Sequence, residues 1–140
     1  MARFQGATLA LLRVMAGLMF MQHGVQKMFG WLGGWRGTPG ATAPLFSQSG
    51  LAGVLEVFGG ALIVLGLFTR PVAFVLSGMM AWAYFQAHAP DAFWPIVNRG
   101  ELAALYCFVF FYFSARGGGP YSIDAVLERR RSAARLDFQR

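Results

Sequence analysis

LLRVMAGLMFMQHGVQKMFG, residues 11–30, is the stretch that decides the class of fold. Leu11, Val14, Leu18, Met21, Val25 and Met28 recur at spacings of three and four, as the seam of a soluble helical bundle would. The opposite face carries Leu12, Ala16, Met19 and Phe20, which water does not favour. A helix that is apolar all round is either buried all round or faces lipid. Only towards its end does the segment turn polar, at Gln22, His23, Gln26 and Lys27.

Composition agrees with the lipid reading. The chain has 140 residues, the size of one domain. Hydrophobic residues make up 56% and charged residues 13%, against about 25% charged in soluble proteins. Mean hydropathy is +0.49. A net charge of +6 is one that nucleic-acid binders carry, but six of the twelve basic residues lie beyond position 115: Arg116, Arg129, Arg130, Arg131, Arg135 and Arg140. A basic tail after apolar segments fits positive charge held on the cytoplasmic side of a membrane, and no nucleic-acid partner is expected. Arg13 interrupts the first apolar run and no small-residue cleavage site follows, so it reads as a first membrane helix rather than a signal peptide.

Working outward, four apolar segments can be drawn, at about 6–29, 51–68, 72–89 and 99–115. A membrane-spanning helix needs about 20 residues, which makes the third marginal and the fourth short. Turns separate them: a Gly/Pro-rich loop over 30–50, a tight Thr69-Arg70-Pro71 link, and a loop around Pro90 and Pro95. Trp31, Trp35 and Trp94 stand where segments end, as interfacial aromatics do. The expected fold is all-α: a polytopic four-helix membrane bundle over residues 1–115, followed by a basic cytoplasmic tail over 116–140. In the tail, Ser122 can cap a short amphipathic helix with Asp124 in its first turn, suited to lying on an anionic leaflet. With four spans both termini share a side, and the arginine-rich tail places that side in the cytoplasm.

At 100° per residue Gln22, His23, Gln26 and Lys27 occupy one arc of the first helix, with Arg13 at its edge. His23 lies about six residues, or ~9 Å, from the outer end. Glu56 lies at a similar depth on the second helix, on a face made small by Ala52, Gly53, Gly59 and Gly60. Gln86 and His88 end the third helix, and Asn98, Arg99 and Glu101 open the fourth. A carboxylate among hydrocarbon needs a partner, which Lys27, His23 or Arg13 can supply. Two readings stay open: a structural ion pair that fixes helix register, or a polar pocket in which Glu56, His23 and Lys27 act and Arg13, Gln22, Gln26, Gln86 and His88 bind. No metal-ligand spacing is present, so no metal is expected. The single cysteine, Cys107, excludes an internal disulfide, a CxxC pair and CxxCH haem attachment. No Ser-His-Asp arrangement, phosphate loop or GxGxxG fingerprint appears, and Gly117 to Gly119 reads as a helix stop.

The same residues carry a family likeness. Residues 11–30 resemble the opening signature of the DoxX family of small membrane proteins through Arg13, Gly17, Phe20, Gly24 and Lys27. LEVFGGALIVLGLFTRPVA (55–73) resembles its second block through Glu56, Gly59, Gly60, Gly66 and Arg70, and GGGPYSID (117–124) resembles the ending of many members. The family takes its name from a subunit of a membrane thiosulfate:quinone oxidoreductase. Other members are linked to oxidative or thiol stress, or to the handling of catechols and quinones. The resemblance implies an inner-membrane protein that is a quinone-interacting oxidoreductase subunit or a redox or stress-response membrane component, with no covalently bound cofactor and with quinone as the candidate substrate. Its partners would be the lipid bilayer, a redox protein and, as an option, further copies of itself. The alternatives are a scaffold docking an enzyme through its basic tail, or a small permeation protein.

Overall fold

The computed structural model describes residues 1–138, which form helices and loops with no strand among them. Six α-helices are present among the described residues: α1 (Ala2–Phe29), α2 (Gln48–Leu65), α3 (Thr69–Ala87), α4 (Pro95–Asn98), α5 (Glu101–Arg116) and α6 (Ile123–Phe138). A single 3₁₀ turn, Trp35–Gly37, lies in the long loop after α1. The main packing pairs are α1 with α2 and α3 with α5, and α2 against α3 joins the two pairs.

The α1–α2 pair is antiparallel and seamed by glycine. Gly17 and Gly24 on α1 and Gly53 and Gly60 on α2 are each seven residues apart, two helical turns, so each pair lies on one stripe. A Cβ on Gly24 would come within 2.7 Å of the Gly53 carbonyl oxygen, and one on Gly17 within 2.9 Å of the Gly60 carbonyl oxygen. Small residues of this kind let helix backbones approach closely where no hydrophobic force drives association in lipid.

Aromatic rings fill the centre. Phe20 of α1 meets Tyr106 and Phe110 of α5 with centroids 5.1 and 4.8 Å away. Ile63, Ala73, Leu76 and Phe113 complete the buried cluster. Large apolar side chains cover the outside as well: Leu11 and Met15 on α1, Phe58 on α2, Phe74 on α3 and Phe108 on α5 are all more than half exposed. Apolar surface of this extent marks contact with a membrane. Helices α1 and α2 are long and apolar enough to cross one.

Element ends differ from the sequence boundaries for local reasons. Helix α2 begins at Gln48 because Ser47 caps it, its hydroxyl accepting from Gly50 N–H at 3.1 Å. It ends in a left-handed Gly66, with Gly66 and Leu67 N–H returning to Ile63 and Leu62 carbonyls. The Thr69-Arg70-Pro71 stretch, read above as the link, is instead the first turn of α3, where proline forfeits no intrahelical hydrogen bond. The true link is Gly66–Phe68. Its Phe68 is held at φ 50, left-handed and strained for an aromatic residue.

The end of the molecule bearing the termini is locked by two charged side chains. Arg13, only 2% exposed, donates from Nη1 to the carbonyls of Ile63 and Val64 and from Nη2 to the Tyr121 carbonyl at 2.9 Å. A cation there complements the carbonyls at the C-terminus of α2. The Asp124 carboxylate accepts from Phe68 and Thr69 N–H, both at 2.8 Å, and so caps α3 from a distant segment. Ser122 accepts from Ala125 N–H at 3.2 Å and opens α6.

Candidate functional site: a polar-ended cavity between the helices

At the other end, α1, α2, α3 and α5 line a half-open cavity of about 550 Å³. Its floor is Phe20, its apolar walls include Leu55, Met79, Met80 and Trp82, and its polar groups come from every helix. The size suits one small organic ligand, as does the mostly apolar lining with a few convergent polar groups.

The central polar feature is an ion pair. Lys27 Nζ lies 2.5 Å from Glu56 Oε1, with side-chain exposures of 24% and 6%. The glycine seam explains the meeting. Helical side chains lean towards their own N-terminus, so in an antiparallel pair those of Lys27 and Glu56 lean towards each other. Of the three cations able to answer Glu56, the structure selects Lys27.

Two atoms beside this pair lack partners. Glu56 Oε2 and Tyr106 Oη are buried and make no hydrogen bond among the described residues. Both residues line the cavity. An unpaired buried polar group typically costs about 1–3 kcal/mol, which calls for an explanation.

The remaining candidates divide. His23, half-buried, lines the cavity and forms no hydrogen bond among the described residues. Gln86 and His88 line its rim, and His88 Nδ1 bonds the Asn98 carbonyl at 3.0 Å. Gln26 is turned to the following loop, its Nε2 donating to the Leu32 carbonyl at 3.2 Å, and Gln22 is exposed; neither lines the cavity. Arg13 is at the opposite end, engaged as described above. Of the nearby aromatics, Phe20 and Trp82 line the cavity, whereas Tyr84 donates to the Phe93 carbonyl and Phe29 packs on Trp31. No group of three His, Cys, Asp or Glu is placed to hold a metal among the described residues.

Tyr106 escaped the sequence reading because Ala103, Tyr106, Phe110 and Phe113 form a core stripe at helical spacing. Its signal was the one hydroxyl on that stripe. Buried Asn98 fixes the turn before α5 by donating to the Ala92 carbonyl at 2.6 Å and accepting from Gly100 N–H at 2.8 Å, and Arg99 thereby reaches the cavity rim.

Residues 8–89, which carry Lys27, Glu56 and most of the cavity walls, match the DoxX family profile. The chain belongs to the DoxX family. A Haemophilus influenzae protein described as uncharacterized is 42% identical over 120 residues, spanning 83% of this chain and 87% of its own. An uncharacterized membrane protein of Mycobacterium tuberculosis is 31% identical over 140 residues, spanning 87% of this chain and 82% of its own. No solved structure matches significantly. This DoxX chain is a membrane protein, as its exposed apolar surface requires. Its Tyr106, Arg99 and Asp124 lie beyond the matched stretch.

Proposed function

We propose that the cavity holds the ring of a quinone or quinol, and that the protein is the quinone-binding component of a membrane oxidoreductase. The observation that carries this reading is the pair of unpartnered atoms, Glu56 Oε2 and Tyr106 Oη, beside the Lys27–Glu56 ion pair in an apolar cavity. A ring with oxygen substituents answers them. A carboxylate oxygen accepts from a ring hydroxyl, while Tyr106 and Lys27 donate to a ring oxygen. His23 stands beside them as a proton acceptor or donor. Phe20, Trp82, Met79 and Met80 cover the faces of the ring. Reduction of a quinone takes up two electrons and two protons; the electrons come from a partner redox protein, and Glu56 passes protons at the ring edge.

In this reading α1, α2, α3 and α5 cross the inner membrane as a four-helix bundle, with both termini in the cytoplasm and the cavity in the outer half. The arginines of α6 support that orientation. Helix α5, with 16 residues, spans about 24 Å, so the bilayer thins locally or its flanking turn completes the crossing.

The test is a titration of the nanodisc-embedded protein with a short-chain quinone, followed by tryptophan fluorescence, with Trp82 as the reporter in the cavity wall. Saturable quenching in the native chain and its loss in folded Glu56→Gln are expected. Equal quenching in both would refute the proposal.

A further inference from the structure

The end bearing the termini holds a second cavity, of about 610 Å³, which the quinone reading does not use. Three cations from three elements line it: Arg70 in the first turn of α3, Arg116 at the end of α5 and Arg131 on α6. None forms a salt bridge among the described residues. Two carboxylates also line it. Both oxygens of Asp124 are committed to the Phe68 and Thr69 N–H groups, which leaves Glu128 as the one uncommitted anion of that lining.

A second, independent observation concerns Thr69. It is wholly buried, lines this cavity, and its hydroxyl has no partner. The hydroxyl faces the glycine loop: a Cβ on Gly118 would lie 2.7 Å from Thr69 Oγ1 and another on Gly117 3.3 Å from Arg70 Nε. Arginines, a hydroxyl and a side-chain-free loop together suit a tetrahedral oxyanion, because guanidinium forks match phosphate oxygens.

The surroundings specify which phosphate. Phe68, Pro71 and Leu127 give the same cavity an apolar flank. Exposed Phe74 and Phe111 stand four and five residues along α3 and α5 from Arg70 and Arg116. A free anion gains nothing from that flank, whereas a phospholipid lays its acyl chains along it. The geometry points to a built site for one anionic phospholipid, its phosphate held by Arg70, Arg116 and Arg131 in the notch between α3, α5 and α6. The inference rests on the membrane location of the chain and is independent of the quinone reading. The lipid would pin α6 to the bundle, reinforcing the Asp124 and Arg13 contacts on either side.

The test uses the full chain in a neutral detergent, titrated with a short-chain phosphatidylglycerol, with phosphatidylcholine, and with inorganic phosphate. Native mass spectrometry counts bound lipid, and thermal unfolding reads its effect. One saturable phosphatidylglycerol per chain is expected, with phosphatidylcholine and inorganic phosphate much weaker. Arg70→Gln with Arg116→Gln should weaken it about tenfold or more. Arg129→Gln with Arg130→Gln, next to Arg131 on α6 but outside the cavity lining, should leave it within about twofold. Equal losses from the two pairs would reduce the effect to diffuse surface charge and overturn the site. Inorganic phosphate binding as tightly as the lipid would overturn the lipid assignment.

Discussion

Gly24 packs directly on the backbone of Gly53, so close that a Cβ on residue 24 would stand 2.7 Å from the Gly53 carbonyl oxygen and 2.7 Å from Val57 N. The contact sets the spacing of α1 and α2 and thereby the reach of Lys27 to Glu56. Gly24→Ala must push backbone against backbone, and overpacking of this kind costs about 1–3 kcal/mol. Unfolding of the variant in mixed detergent micelles should show that loss, while Gly78→Ala, with nothing within 4 Å of the added methyl, should show none.

The Lys27–Glu56 pair makes a second prediction. Removing one partner of a buried pair strands the other, at about 3–5 kcal/mol. Lys27→Met alone should therefore destabilise strongly, and Lys27→Met with Glu56→Gln should recover much of the loss. A double-mutant cycle on micellar unfolding measures the coupling; additive losses would mean the two charges do not depend on each other.

Tyr106→Phe separates a ligand site from a structural one. Its hydroxyl is buried without a partner, so deleting it should stabilise the ligand-free protein by about 1 kcal/mol. The same deletion should weaken quinone binding about tenfold, the loss of one hydrogen bond to the ligand. Calorimetry and fluorescence titration of one preparation read both signs together. Loss of stability on deletion would show a structural hydroxyl.

The lock at the opposite end predicts a local effect. Asp124→Ala removes the cap of α3 and the support of strained Phe68, at about 1–2 kcal/mol. Proteolysis should then cut within Gly117–Ser122 faster than in the native chain, while quinone affinity at the far cavity stays unchanged.

The helices were legible in the sequence because apolar runs and glycine or proline turns mark them whatever the tertiary packing. So was the meeting of Lys27, Glu56, Gln86 and His88 at one end of the helices, since chain direction alone places them together. What escaped was set by contacts between distant segments. Arg13 lies on the arc of His23 and Lys27, yet its depth delivers it to the C-terminal carbonyls of α2 rather than to Glu56. The Thr69-Arg70-Pro71 turn became helix because Asp124, 55 residues away from Thr69, caps it. Tyr106 hid in a core stripe whose periodicity carries no information about a hydroxyl left without a partner.

The most direct test of the ligand site is photolabelling with an azidoquinone in nanodiscs, followed by peptide mapping. Label should concentrate on Met79–Ala83 of α3 and around Tyr106 of α5, and excess unmodified quinone or Tyr106→Phe should suppress it. Label spread over the exposed residues Phe58, Phe74 and Phe108, with no such competition, would contradict a quinone held between Glu56 and Tyr106.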